Sequence, residues 1–215
     1  MTREELIKKV ALKMDEISSS DDIIVAVNSS DNNPLYTQIN DLLNESINDV
    51  LTKAPVYRIP DAFITTESDL DGYQSVVGGT RRAGVITLPE DFIRLVSISD
   101  PNLDKHIVDL AIEGDDVDKR QHNKFLVAKR AKPVAVLGRA DEGYRVIYVY
   151  SFTNEVIPCM SFTYVMRFTD TSNDIEIDDY MTDLVSWVCA GRVFAVQGDA
   201  NRGKICDENA AALMI

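Results

Sequence analysis

The run Gly198-Asp199-Ala200-Asn201-Arg202-Gly203-Lys204-Ile205 has the glycine-to-lysine spacing of a phosphate-binding loop. In such a loop, backbone N–H groups cradle phosphates, the lysine neutralises them, and a hydroxyl after the lysine holds Mg²⁺. Here that position is Ile205, and the run follows a helical pattern where a strand is required, so it reads as a helix-to-helix turn. Glu67-Ser68-Asp69-Leu70-Asp71-Gly72 sets oxygen donors and a glycine as a calcium loop opens, but Gly78 stands where the closing bidentate glutamate belongs. The carboxylates of Asp115-Asp116-Val117-Asp118 and of Asp174, Glu176, Asp178 and Asp179 are numerous enough for a two-metal nuclease. No histidine or lysine frames them, so they read as solvated faces and helix caps. His106 and His122 lie in a polar stretch, and no serine sits in a Gly-x-Ser-x-Gly elbow. No catalytic residue, metal ligand or cofactor is assigned, and the chain is expected not to be an enzyme.

Cys159, Cys189 and Cys206 are an odd count without a close pair, which indicates neither a disulfide framework nor a CxxC metal site. Reduced thiols fit a protein made in a reducing cytoplasm. The formal net charge is −13, and an acidic surface repels phosphate and lacks the counterion release that drives nucleic-acid affinity. Tight DNA binding is disfavoured. No apolar run approaches the ~18 residues of a membrane span, and the N-terminus lacks an apolar signal core, so no membrane partner is expected.

Helical signals lie at both ends of the sequence. Thr2 with Glu5 makes a capping box, and Leu6, Val10, Met14 and Ile17 recur at helical spacing. After a short apolar piece at Ile23–Val27, Asn33-Pro34 opens a second helix striped by Ile39, Leu42, Leu43, Ile47, Val50 and Leu51, which Ala54-Pro55 ends. A third runs from Met181 to Val196 behind a carboxylate-rich approach, with Ala190 and Gly191 small enough for a close helix neighbour. Gly198-Asp199 breaks it, and Asn201 is the expected start of a last helix. Trp187 sits at core spacing from Leu184. Between the helices the period becomes that of strands: Val85–Leu88, Phe92–Ile98, Pro133–Leu137, Tyr144–Phe152 and Cys159–Phe168. The expected fold class is α+β, a helical bundle from the N- and C-terminal segments (1–55 and 169–215) with an inserted antiparallel β region (56–168).

Two polar interruptions, 65–82 and 100–124, read as long loops of the β region. The first holds Gly72, Gly78 and Gly79, and its apolar content is small. It is expected to be a mobile contact arm whose residues are Leu70, Tyr73, Val76, Val77, Arg81 and Arg82. The short basic patches Arg81-Arg82 and Lys129-Arg130-x-Lys132 otherwise read as ordinary surface.

Leu88-Pro89-Glu90-Asp91-Phe92-Ile93-Arg94-Leu95-Val96-Ser97-Ile98 joins a rigid proline turn to an alternating strand. Followed by Phe162-Thr163-Tyr164-Val165-Met166-Arg167-Phe168, the acidic run to Tyr180 and the Met181–Val196 helix, it resembles the head-to-tail connector family of tailed phages. These are adaptor proteins, tail tubular protein A-like, that form a portal-proximal ring. The resemblance lies in motif order over roughly the last three fifths of the chain. It implies a structural virion protein, a homo-oligomer in a ring, commonly a dodecamer, at the phage neck between capsid and tail. The implied partners are the portal and the tail or next ring protein, with DNA passing through the bore without tight binding during genome ejection. An acidic bore would keep the duplex from adhering. The alternatives are a tail or baseplate module binding the host surface, and a metal-dependent hydrolase using the acidic clusters.

Overall fold

The computed structural model describes residues 1–17, 34–68, 76–78, 81–100, 103–123, 126, 128, 131–140, 143–150, 161–169, 175 and 177–214. Their helices are α1 (Arg3–Ile17), α2 (Pro34–Lys53), α3 (Asp116–Gln121), α4 (Asp179–Val196) and α5 (Ala200–Leu213). Their strands are β1 (Ile64–Ser68), β2 (Val76–Gly78), β3 (Arg81–Thr87), β4 (Phe92–Ser99), β5 (Leu110–Ile112), β6 (Val134–Arg139), β7 (Arg145–Tyr150) and β8 (Ser161–Met166). The class is α+β. The chain divides into a helical unit, Met1–Phe63 with Arg167–Ile215, and a β-rich unit, Ile64–Met166. The borders fall at 63/64 and 166/167, against sequence-based borders at 55/56 and 168/169.

In the helical unit, the Thr2 N–H donates to Glu5 Oε2 (2.8 Å) and the Glu5 N–H donates to Thr2 Oγ1 (3.2 Å), closing the capping box that starts α1. The Glu5 carboxyl is held below its usual range by the Thr2 backbone and hydroxyl donors. Leu6, Ile7, Val10, Ala11 and Met14 are buried on the inner face of α1, and Ile39, Leu43, Ile47, Val50 and Leu51 on that of α2. Arg3 ties the two: its Nε donates to Asn40 Oδ1 (2.6 Å) and its Nη1 to Asn44 Oδ1 (3.0 Å). Helix α4 is the hub, packing against α1, α2 and α5. It starts where Asp178 Oδ1 accepts the Met181 N–H at 2.7 Å. Trp187 on α4 is only half-buried, beneath the Lys13 ammonium 4.8 Å from the ring centroid. Asn48 reproduces a strand partner for Phe168, donating to its carbonyl (2.9 Å) and accepting its N–H (2.8 Å).

The β-rich unit holds a three-stranded sheet in the order β1-β8-β4 and a five-stranded sheet in the order β2-β3-β7-β6-β5. All the pairings are antiparallel except β5 with β6. One core serves both sheets. Phe92, Leu95, Ile98, Phe162 and Tyr164 come from the first and Ile86, Ala135, Ile147 and Val149 from the second. Strand β4 buries Phe92, Leu95 and Ile98, a spacing of three where alternation was expected. Two register shifts against β8, at Phe92/Arg94 and Leu95/Ser97, each insert a residue and rotate the next apolar side chain inward.

Both expected long loops need correction. The stretch 65–82 contains most of β1, all of β2 and the start of β3; 100–124 contains β5 and α3, and its Ile107 bridges Ile98. Strand β1 is short and mostly polar and gains its hydrogen bonds from β8, distant in sequence, a gain that local periodicity does not register.

Candidate contact arm

Of the six arm residues, Leu70 and Tyr73 lie outside the described residues, Val76 and Val77 belong to β2, and Arg81 and Arg82 belong to β3. The register is Val76↔Ala83, Val77↔Arg82 and Gly78↔Arg81. The four described residues therefore form a hairpin, which corrects the expectation of a loop. The signal was present: two residues, Gly79-Thr80, separate paired strands, and a Gly-Gly step at 78–79 is a hairpin mark. Strand β3 pairs with β7 from Ala83↔Tyr150 to Thr87↔Val146 and with β2 from Arg81 to Ala83, so the hairpin belongs to the five-stranded sheet, with β2 at its edge.

The opposite edge of the same sheet is β5. The Glu113 N–H donates to Leu137 O (2.9 Å) on the inner side. On the outer side, Ile112 has its N–H bound by Asp115 Oδ2 (3.1 Å) and its carbonyl bound by the Asp115 N–H (3.0 Å). Asp115 thereby closes that part of the edge to strand addition. Gly114, at φ +89, makes the turn, and its N–H donates to Asp118 Oδ2 (2.9 Å), so Asp118 is buried with a partner. Gln121 Oε1 accepts the Ala128 N–H (2.8 Å), which pins α3 to the following chain. Val108 (59% exposed) and Ile112 (61%) are left uncovered beside Val117.

The chemistry-bearing residues separate accordingly. Glu67, first of the calcium-like run, accepts from the Tyr164 hydroxyl (3.4 Å), which also faces Asp91 Oδ1 (3.2 Å); positions 69–72 lie outside the described residues. Burial first, then the Asp91 and Glu67 charges, raise the Tyr164 pKa far above its usual range, so its proton stays on as a structural donor. Asp116 pairs with Lys119 (3.7 Å) and His122 with Asp118 (3.5 Å). Among the described residues, no group of three or more His, Cys, Asp or Glu is arranged to hold a metal ion. The phosphate-loop spacing falls on the turn between α4 and α5, with Gly198 at φ +82 and Gly203 buried against Gly191. His106 and Lys132 are exposed, while Lys129 and Arg130 lie outside the described residues. Among the described residues, no helix is long and apolar enough to cross a membrane.

No family model matches the chain, and no curated protein sequence matches it.

Proposed function

We propose that the chain is a structural subunit of a tailed-phage neck, forming a ring that joins the portal to the tail and lines the DNA passage. The observation that carries this reading is a β-rich unit, Ile64–Met166, inserted between two halves of a helical unit, with the β2–β3 hairpin at the edge of its five-stranded sheet. Motif order agrees: the proline turn before β4, strand β8 and the capped helix α4 follow one another as the connector resemblance requires. The acidity of the whole chain suits a bore through which a duplex must slide. Quantitative protein analysis of purified particles tests the reading. It should place the chain in virions at a fixed ratio to the portal; presence in infected-cell lysate with absence from particles overturns it.

A further inference from the structure

Among the described residues Tyr57, 77% exposed, is the least covered of the large hydrophobic side chains. The fold holds it there. It lies in the turn Val56–Arg58 between Pro55 and Pro60, and the buried Ala54 and Ile59 fix that turn from either side. The Arg58 N–H donates to Pro55 O (3.0 Å) and the Ile59 N–H to Val56 O (3.0 Å). Arg58 is held as firmly. Its Nη1 donates to Leu213 O (3.0 Å), which also accepts from the Tyr180 hydroxyl (2.8 Å). Its guanidinium stands 4.5 Å from the Tyr180 ring centroid and 5.6 Å from that of Tyr57. Asp61, Asp178, Asp179 and Asp183 are exposed near Arg58 and Tyr180 in sequence, yet among the described residues Arg58 makes no ion pair.

We infer that Tyr57 and Arg58 anchor a contact with a second copy of the chain, covering the Tyr57 ring and bringing a carboxylate of that copy to the guanidinium. Tyrosine and arginine are the residue types concentrated at binding hot spots. Here the proline-flanked turn and the stack on Tyr180 have already removed freedom that association would otherwise have to remove. Charge selects the occupant. The four aspartates near the anchor oppose a polyanion such as DNA, so the guanidinium suits a single carboxylate on a protein surface. A chain of net charge −13 presents such groups: Asp41 on α2 and Asp207 on α5 are exposed and make no ion pair among the described residues. Copies of like charge associate only where unlike groups meet locally, and Arg58 is a fixed cation that its own subunit leaves for that meeting. An arginine of one copy on a carboxylate elsewhere on the next is a heterologous contact, which builds rings when its rotation closes. The inference rests on the ring reading and assigns part of its subunit contact.

Two variants of the full chain test it. Tyr57→Ala removes an exposed ring, so at a dilution where the subunit is monomeric its melting temperature should match the wild type. Arg58→Gln removes the charge and keeps a donor for Leu213 O. By light scattering, each should need at least about tenfold more protein to assemble. A photo-reactive amino acid in place of Tyr57 should cross-link one copy of the chain to another. Wild-type assembly by either variant, or a cross-link to the portal alone, overturns the inference while the ring reading stands. A wild type that stays monomeric with and without the portal overturns the ring reading itself.

Discussion

Gly191 and Gly203 meet across the α4–α5 interface: a β-carbon on Gly203 would lie 3.3 Å from the Gly191 carbonyl oxygen. One on Gly191 would lie 3.2 Å from Cys206 Cβ and 3.4 Å from Gly203 O, neither of which is a mobile chain end. Glycine inside a helix costs about 1 kcal/mol relative to alanine, so the close approach must outweigh that cost. Gly191→Val should therefore destabilise by about 1–3 kcal/mol through overpacking, with Gly191→Ala closer to balance. Urea unfolding measures both. A neutral Gly191→Val would mean that the helices can separate without loss.

The start of α5 yields a paired prediction. Sequence reading begins this helix at Asn201, but Asp199 is the cap, its Oδ1 accepting the Arg202 N–H at 3.1 Å. Asp199→Ala should cost about 1 kcal/mol of stability. Asn201→Ala, on an exposed helical position, should stay within about 0.5 kcal/mol. The opposite ranking in thermal unfolding would return the cap to Asn201.

These cases mark how far local signals reach. The Thr2–Glu5 box, the α2 stripe and the strands β6 to β8 were legible because their information lies within one turn or one alternation. Strand β1 was not: Thr65, Thr66 and Glu67 have no apolar alternation, and the pairing that orders them reaches Thr163 and Tyr164, 97 residues on, through contacts such as Thr66 Oγ1 to Thr163 Oγ1 (3.0 Å). Helix α3 has one apolar side chain, Val117, and it is exposed; its order comes from Asp118 and Gln121 bonding outside the helix. For the arm, sequence supplied the residues and their glycines. It did not supply the pairing of β3 with β2 on one side and β7 on the other, which places these residues in a sheet.

Alkaline pH should weaken the helical unit. Cys189 and Cys206 have no solvent exposure, and burial pushes both thiols up to about 11. An unfolded thiol ionises near ~8.5, so above that pH the unfolded chain releases protons that the folded chain keeps. The stability from the neutral buried thiols is full below ~8.5 and is lost as pH rises through about 11. In a Cys159→Ser background, the urea midpoint should fall between pH 8.5 and 10.5, and Cys189→Ala should make that fall shallower. An identical slope in the two proteins would show that the Cys189 thiol titrates alike folded and unfolded.

Hydrogen exchange separates the middle of the sheet from its β2 edge. Val85 and Ile86 lie in the β3–β7 ladder opposite Tyr148 and Ile147, so their amides should exchange as slowly as those of β7. Val77 and Arg82 face each other across the ladder to β2, a three-residue strand at the sheet edge, and so short an edge ladder opens at little cost. Their amides should exchange far faster in the monomer and slow sharply on assembly, because the partner surface then covers what the subunit leaves open. Replacing 70–79 with a short Gly-Ser link removes β2 yet keeps β3 beside β7, so the monomer should fold with nearly unchanged stability while assembly is lost. Equal protection of Arg82 and Ile147 in the monomer would make the hairpin part of the core and defeat its role as an arm.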